Sequence, residues 1–412
     1  MIEELGSQAR KAAQVMARAS ALAKNAALTK AAHGLLADQE RILKANSGDM
    51  DQAVREGISG ALLDRLRLTE ARLTSMASGL SVVAGLPDPV GQITAGFTRP
   101  NGLRMTRTRV PLGVVAVIYE ARPNVTADAA GLCLKAGNAA LLRGSSFALR
   151  SNLAIGRVIR DSLEQSDLPA DAVQVVEDSS REGARALMQA TEWVDLLVPR
   201  GGRQLIAAIE AEATVPYVID GAGNCHIFVD ASADLDMAAD IVLNSKISRP
   251  GVCNAAEKLL VHRDIAEEFL PRVAKMLTSA GVELRGDEAA RSIVDEIARA
   301  SDQDWSTEYL DLIMAVKIVD GAQAALDHIR RYGSGHTEAI VTADLAAAEA
   351  FIAQTDSAVV MVNASTRFTD GEEFGFGGEI GISTQKLHVR GPMGLESLTS
   401  ERWVVRGEGQ VR

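Results

Sequence analysis

The stretch that decides the fold is GVVAVIYE (113–120), followed by VTADAAGLCLKAG (125–137) and ALLR (140–143). The first and last segments are short, almost wholly apolar runs, which are typical of strands buried on both faces of a parallel sheet. The segment between them has helical character, and parallel strands need a crossover of this kind. The stretch therefore predicts a strand–helix–strand unit.

The same alternation continues through most of the chain. The other apolar segments predicted as strands are VQVVE (173–177), VDLLVP (194–199), VPYVID (215–220), CHIFVD (225–230), EKLLVH (257–262), LIMAVKIV (312–319), EAIVT (338–342) and AVVMVN (358–363). Helical segments lie between most of them, which predicts two α/β units with parallel sheets and a boundary near 224–230. Sheets of this type bind ligands at the carboxyl ends of their strands.

The remaining segments have a different character. Residues 1–84 show helical spacing throughout, and GLPDPVGQITAGFTRPNG (85–102) is predicted as a long loop because of its glycines and prolines. LRMTRTRV (103–110) alternates apolar and polar residues and predicts an exposed strand, either a sheet edge or a subunit contact. ERWVVRGEGQ (401–410) is also strand-like.

Composition limits the class of protein. The chain has 412 residues, 47% hydrophobic and 24% charged, and a net charge of −11, which argues against nucleic acid or an anionic membrane as a main partner. The first 20 residues lack the apolar core of a signal peptide, and no apolar run is long enough to span a membrane, so we expect a cytoplasmic protein. Three cysteines give no disulfide framework, and six dispersed histidines give no case for a metal.

The most reactive-looking residue is Cys253, within NSKISRPGVCNAAE (244–257). Pro250 and Gly251 end the preceding helix, so Cys253 is predicted on a loop. Lys246 and Arg249 are cationic neighbours, and such neighbours favour the thiolate, which is the nucleophilic form. The alternative is an inert buried cysteine beside a turn, which is the interpretation we give to Cys133 and Cys225.

Two strand ends are candidate anion sites. Arg143, Ser145 and Ser146 follow the strand at 140–143, and Arg200, Gly201 and Gly202 follow the strand at 194–199. Arginine, hydroxyls and free helix N–H groups suit a phosphate. The alternative is a helix start capped by serine. The chain lacks the usual Gly-x-Gly-x-x-Gly dinucleotide motif.

Further polar residues flank other strands. EARPN (120–124) follows the strand at 113–120 and ends in Asn124, a candidate amide donor, although a helix N-cap is the alternative. GSGHTE (333–338) brings His336 to the start of a strand, where it could contact a charged substrate or form a polar turn. Glu308 precedes a strand and alone indicates little.

Together these segments resemble the gamma-glutamyl phosphate reductases (glutamate-5-semialdehyde dehydrogenases), a family of the aldehyde dehydrogenase superfamily that acts in proline biosynthesis. The resemblance covers the whole chain. It is carried by PLGVVAVIYEARPNVTADAAGLCLKAGNAALLRGSS (111–146), VDLLVPRGGRQLI (194–206), GNCHIFVD (223–230), SRPGVCNAAEKLLVH (248–262), TEYLDLIMAVK (307–317), VDGAQAALDHIRRYGSGHTEAI (319–340) and FGFGGEIGISTQKLHVRGPMGLESLTSERWVVRG (374–407).

The resemblance implies an aldehyde dehydrogenase-like α/β fold with two parallel-sheet domains and a small β oligomerisation flap. The implied divisions are a cofactor-binding domain at 1–98 and 112–224, a catalytic domain at 225–385, and an oligomerisation arm with C-terminal segment at 99–111 and 386–412. The implied assembly is a homodimer or homotetramer.

The resemblance also implies residue roles. Cys253 is the catalytic nucleophile and Asn124 the oxyanion-hole amide. The cofactor, NADPH, is assigned to Arg143, Ser145, Ser146, Arg200, Gly201, Gly202 and Glu308, the last at the nicotinamide ribose. The substrate, glutamyl 5-phosphate, is assigned to Glu120, Arg122, Lys246, Arg249 and His336.

The implied chemistry is attack of Cys253 on the acyl phosphate, loss of phosphate and reduction of the resulting thioester, with no metal required because the acyl group is already activated. Hydrolytic members of the superfamily carry a glutamate base just before the strand equivalent to 225–230. This chain has no clear glutamate there, and we do not assign that role to Asp220. A reductase of an acyl phosphate has no use for water attack on its thioester.

Three other hypotheses stay open at this point. A coenzyme A-acylating aldehyde dehydrogenase would share the thioester chemistry, and a catalytically silent protein would share the fold. A glutamate kinase would be a further partner, since the unstable acyl phosphate favours direct transfer.

Overall fold

A computed structural model describes the backbone of residues 1–412 and every side chain except those of Ala61 and Arg203. The chain forms two compact units. The first comprises Met1–Ile219, Gly375–Gly381 and Met393–Arg412, and the second comprises Asp220–Phe374 and Ile382–Pro392. The predicted functions of the domains stay predictions.

Helices make up almost all of the first 85 residues and then alternate with strands. Their bounds are α1 Ile2–Met16, α2 Ala21–Ala37, α3 Gln39–Arg55, α4 Gly60–Leu66, α5 Glu70–Gly85, α6 Asn124–Lys135, α7 Leu149–Glu164, α8 Arg181–Met188, α9 Arg203–Glu212, α10 Leu235–Ile247, α11 Arg263–Ser279, α12 Glu288–Ile293, α13 Ala322–Tyr332 and α14 Leu345–Gln354.

The strands fall into four sheets. Their bounds are β1 Ile93–Thr98, β2 Arg104–Pro111, β3 Val114–Tyr119, β4 Ala139–Arg143, β5 Val173–Val175, β6 Leu196–Arg200, β7 Cys225–Val229, β8 Ala256–His262, β9 Glu283–Gly286, β10 Ala298–Arg299, β11 Ile313–Val319, β12 Thr337–Val341, β13 Val359–Val362, β14 Ile382–Ser383, β15 Gly391–Pro392 and β16 Thr399–Arg406.

The first unit contains a four-stranded parallel sheet in the order β5-β4-β3-β6. Every residue of β3 is buried, as its apolar run predicts. Helix α6 links β3 to β4 and contacts both. The predicted strand–helix–strand unit is therefore confirmed, and the carboxyl ends of β3, β4 and β6 share one edge of the sheet.

The first unit also contains an exposed antiparallel sheet, in the order β1-β2-β16. The prediction of a loop throughout 85–102 is wrong, because Ile93–Thr98 form β1. Phe97 pairs with Met105 of β2, and its ring contacts that of Trp403 on β16 at 5.8 Å in an edge arrangement. Both aromatic rings stay about half exposed.

The second unit is built on a seven-stranded parallel sheet in the order β10-β9-β11-β8-β7-β12-β13. Alternate residues enter different cores. Ile227 and Val229 of β7 pack in the cluster that contains α10 and α11 residues, whereas Phe228 packs with Phe351 of α14 in the other cluster. This period of two shows that helices cover both faces, as predicted. Both units are α/β with parallel sheets, so the predicted fold class is confirmed.

One prediction in the connecting segments is wrong, and three short elements there were missed. Residues 215–220 do not form a strand; only isolated bridges occur, between Tyr217 and Leu197 and between Asp220 and Ser383. The short elements β9, α12 and β10 were not predicted. Across the described residues, no helix has the length and apolar character needed to cross a bilayer.

Candidate active site

Cys253 lies on the loop between α10 and β8, as predicted. Helix α10 begins after Asp234, whose carboxylate accepts hydrogen bonds from Asp236 N and Met237 N, and ends at Ile247. The chain then turns until β8 begins at Ala256. Cys253 is partly exposed, whereas Cys133 and Cys225 are buried.

The main chain of Cys253 packs closely against residues 223–225. A Cβ on Gly223 would lie 1.6 Å from the Cys253 carbonyl oxygen, so only glycine permits this approach. The Cys225 thiol donates to the same carbonyl oxygen at 3.1 Å. Glu308 Oε1 accepts the Gly223 N–H at 2.6 Å and so fixes the supporting segment. The predicted contact of Glu308 with the nicotinamide ribose stays a prediction.

Asn254, the residue after Cys253, is held by a segment that sequence patterns did not identify. Asn254 Nδ2 donates to Thr369 O at 2.8 Å, and Thr366 Oγ1 donates to Asn254 O at 2.7 Å. The Arg367 guanidinium donates to Asn254 Oδ1 and, through Nε, to Ser248 Oγ at 3.1 Å. The available signal was STRFT (365–369), a hydroxyl-rich run with one arginine shortly after a buried strand.

The two predicted cations near Cys253 differ in environment. Lys246 Nζ forms an ion pair with Glu257 Oε2 at 3.0 Å, and both side chains are fully buried. Burial lowers the pKa of Lys246, and Glu257 opposes that shift. Arg249 is exposed and forms no ion pair with any described residue. The predicted contacts of both with substrate stay predictions.

His336 lies directly before β12 and is fully buried. Its Nδ1 lies 2.8 Å from Thr337 Oγ1 and 3.7 Å from the Cys225 sulfur. Thr337 Oγ1 donates in turn to Thr369 Oγ1 at 3.0 Å. Burial lowers the pKa of His336 to about 4, so the ring is neutral near pH 7. Its predicted contact with substrate stays a prediction.

In the first unit, the end of β4 carries buried polar atoms with unused bonding capacity. Arg143 Nη2 donates to Ser180 O at 2.8 Å, and burial lowers the pKa of Arg143. Arg143 Nε and Ser145 Oγ are buried and have no hydrogen-bond partner among the described residues. Ser145 makes no side-chain cap bond, so the capped-helix alternative is wrong for it. Ser146, the next residue in the chain, is exposed.

The end of β6 lies beside the end of β3. Gly201 approaches Glu120 so closely that a Cβ would lie 2.9 Å from the Glu120 carboxyl carbon. Gly202 precedes α9 and has no side chain to cap it, but its carbonyl oxygen accepts the Leu205 N–H at 3.0 Å. The structure thus brings Glu120, Arg200, Gly201 and Gly202 together at one sheet edge.

Asn124 is the first residue of α6, and Pro123 occupies the cap position. The N-cap alternative is therefore wrong. Asn124 is exposed and donates through Nδ2 to Asp128 Oδ2 at 3.0 Å. Arg122 is exposed in the preceding turn, where its N–H donates to Glu120 O. The oxyanion role of Asn124 stays a prediction.

Comparisons with known proteins agree with one another. The model of the aldehyde dehydrogenase family matches residues 1–292. The chain is 54% identical to a gamma-glutamyl phosphate reductase from Heliobacterium modesticaldum, over 99% of this chain and 98% of that protein. It is 53% identical to one from Moorella thermoacetica, over 100% and 98%. A crystal structure of gamma-glutamyl phosphate reductase from Thermotoga maritima superposes with a TM-score of 0.98 at 46% identity, covering 100% and 99%. The resemblance predicted from sequence is confirmed.

Proposed function

Because the chain belongs to the aldehyde dehydrogenase family, and within it to the gamma-glutamyl phosphate reductases, we propose that it reduces L-glutamyl 5-phosphate to L-glutamate 5-semialdehyde with release of phosphate. The observation that carries the proposal is full-length identity above 50% to reductases of that name. This is the second step of proline biosynthesis.

The proposed reaction begins with the Cys253 thiolate attacking the acyl carbon. The tetrahedral intermediate carries an oxyanion, for which the Asn124 amide and the Cys253 backbone N–H are the proposed donors. The bond from carbon to the phosphate oxygen then breaks, phosphate leaves with the electron pair, and a thioester to Cys253 remains. Gly223 and Cys225 fix the Cys253 carbonyl, so the loop that presents the thiol is preorganised for this step.

The reductant is a nicotinamide cofactor, and we propose NADPH. The end of β4 fits the phosphate of such a cofactor, because Arg143 Nε and Ser145 Oγ are buried donors without protein partners among the described residues. We also propose that the backbone of Gly201 and Gly202, at the end of β6, contacts the cofactor phosphates. Bound NADPH supplies the hydride that reduces the thioester. Collapse of the Cys253 hemithioacetal then releases the aldehyde and regenerates the thiolate.

The hydrogen bonds of Asp220 favour a mechanism in which water does not hydrolyse the Cys253 thioester. Asp220 Oδ1 accepts the Ile382 N–H at 3.0 Å, and Gly221 N donates back to Ile382 O. The carboxylate is therefore engaged in holding the segment beside β14. This bond leaves it less suited to activating water than a glutamate base would be.

The test runs the reaction in reverse. Glutamate 5-semialdehyde and NADP⁺ are mixed with and without phosphate, and NADPH absorbance is followed. We expect steady NADPH formation only with phosphate, and none in Cys253→Ala. Steady formation without phosphate would indicate a hydrolytic dehydrogenase, and formation that requires coenzyme A instead would indicate an acylating one. Either result would contradict the proposal.

We further propose a cytoplasmic homodimer or homotetramer that associates through the exposed sheet β1-β2-β16. The half-exposed Phe97 and Trp403, on two strands of that sheet, support this surface. Sedimentation of the chain and of Trp403→Ser tests it, since an unchanged mass would argue against this surface. Transfer of the acyl phosphate from a glutamate kinase is proposed from the instability of the intermediate, and transient kinetics showing free release would exclude it.

A further inference from the structure

Two guanidinium groups lie at the loop that contains Cys253 (residues 248–255, the cysteine loop), and only one of them was expected from sequence. Arg249 lies on the loop itself, four residues before Cys253. Arg367 comes from the segment after β13, more than 100 residues later in the chain. The nearby Lys246 ammonium is already paired with Glu257 inside the core. Unlike Lys246, Arg249 and Arg367 are cations at this loop that are not neutralised by a buried ion pair.

Arg367 spans both ends of the cysteine loop. Its Nε donates to Ser248 Oγ at 3.1 Å, and its Nη1 donates to Asn254 Oδ1. Ser248 precedes Arg249, and Asn254 follows Cys253. The Arg367 guanidinium is thus hydrogen-bonded to residues on both sides of the segment 249–253. Its side chain therefore lies against the loop that contains the Cys253 thiol. A guanidinium has five N–H donors, so these two bonds leave further capacity.

Charged groups of both signs lie around Arg367. Partial burial lowers the pKa of Arg367, and the Arg249 cation lowers it further. Asp370, Glu373 and Cys253 act in the opposite direction. Two guanidinium groups that repel each other beside a nucleophile are stabilised by an anion bound to both, and phosphate oxygens match the planar fork of arginine.

We propose that Arg367 and Arg249 bind the phosphate group of the acyl phosphate, and inorganic phosphate in the reverse direction. This inference rests on the proposed function and adds to it the site of the leaving group. Negative charge develops on the phosphate oxygen as the bond to the acyl carbon breaks. Cations placed at that oxygen stabilise its departure, and in reverse they hold phosphate against the thioester.

The test separates thioester formation from phosphate binding. With semialdehyde and NADP⁺ but without phosphate, the enzyme should form one thioester and release one burst of NADPH. Phosphate then restores turnover, and its KM is measured. We expect KM for inorganic phosphate to rise by about tenfold in Arg367→Lys and in Arg249→Ala, the loss typical of one charge-assisted hydrogen bond, and this change should exceed any change in the burst, which needs no phosphate.

The control is Arg272→Ala, which removes an exposed arginine of α11 whose one ion pair among the described side chains is with Asp236 at the surface. Its burst and its KM for phosphate should both be unchanged. If Arg367→Lys weakens the fold, the exposed Arg249→Ala still decides the result.

Two outcomes would overturn the inference while leaving the proposed function intact. A slow burst with an unchanged KM for phosphate would make Arg367 a positioning residue for Asn254. A raised KM for the semialdehyde alone would assign the arginines to the substrate carboxylate. Absence of a burst in the unaltered chain would instead refute the proposed function, and this inference with it.

Discussion

Substitution of Gly223 by alanine should inactivate the enzyme by displacing Cys253, its proposed nucleophile. The added Cβ would lie 1.6 Å from the Cys253 carbonyl oxygen and 2.3 Å from its carbonyl carbon. An ordinary carbon–oxygen contact is about 3.3 Å, so these backbones must separate by about 1.7 Å. The obstacle is main chain, which cannot rotate away as a side chain could. Misplacement of a reacting group by about 1 Å costs about a hundredfold in rate, so we expect at least that loss in kcat/KM.

The assay is phosphate-dependent NADPH formation from the semialdehyde, with the melting temperature recorded for each variant. Gly251→Ala is the matched control. It lies two residues before Cys253, and a Cβ there would meet its nearest neighbour, Leu310 O, at an ordinary 3.7 Å. Neither glycine has a left-handed backbone, so alanine can adopt both conformations. The reasoning is refuted if Gly223→Ala is as active as Gly251→Ala, or if both lose activity equally.

Two further predictions use the buried titratable groups. Burial lowers the pKa of His328 from its ordinary 6.5 to about 3, so the unfolded chain binds a proton in this window that the folded chain does not. The stability contributed by neutral His328 is therefore fully present above about pH 6.5 and is lost on acidification. In chemical denaturation, His328→Gln should reduce the slope of the unfolding free energy against pH by about 1.4 kcal/mol per pH unit. The exposed His388→Gln should leave that slope unchanged. Burial also raises the pKa of Cys133 to about 12 and that of Cys225 well above its usual value, so iodoacetamide should label Cys253 alone in the native chain. Mass spectrometry showing the label at either buried thiol would contradict this.

The fold was predictable where burial decided the structure. Strands such as β3 and β7 are buried on both faces, so their apolar runs identified them without any knowledge of their neighbours. Strand β1 was missed because it is almost fully exposed and lies between glycines and prolines. It forms because its backbone pairs with β2, and an exposed pairing leaves little trace in composition. The opposite error occurred at 215–220, where apolar residues surround Pro216, which lacks an N–H for a ladder.

In the candidate site, only the features that depend on residues adjacent in sequence could be predicted. The loop position of Cys253 followed from Pro250 and Gly251, which lie just before it. The supports of that loop did not follow, because Gly223 and Arg367 reach it from 30 and 114 residues away along the chain. A glycine that is required by a close approach of two backbones looks like any other glycine in the sequence.

The division of the chain has a consequence for its synthesis on the ribosome. The first unit includes residues 1–219 but also needs β16, which lies beyond the whole of the second unit. At about 5–20 residues per second, roughly 10–40 s pass between the emergence of residue 219 and that of β16. During that time β2 has an edge without its partner strand, and such edges promote association between nascent chains. Holdase chaperones that cover residues 104–111 during translation would therefore raise the yield of native enzyme more than those that act after release.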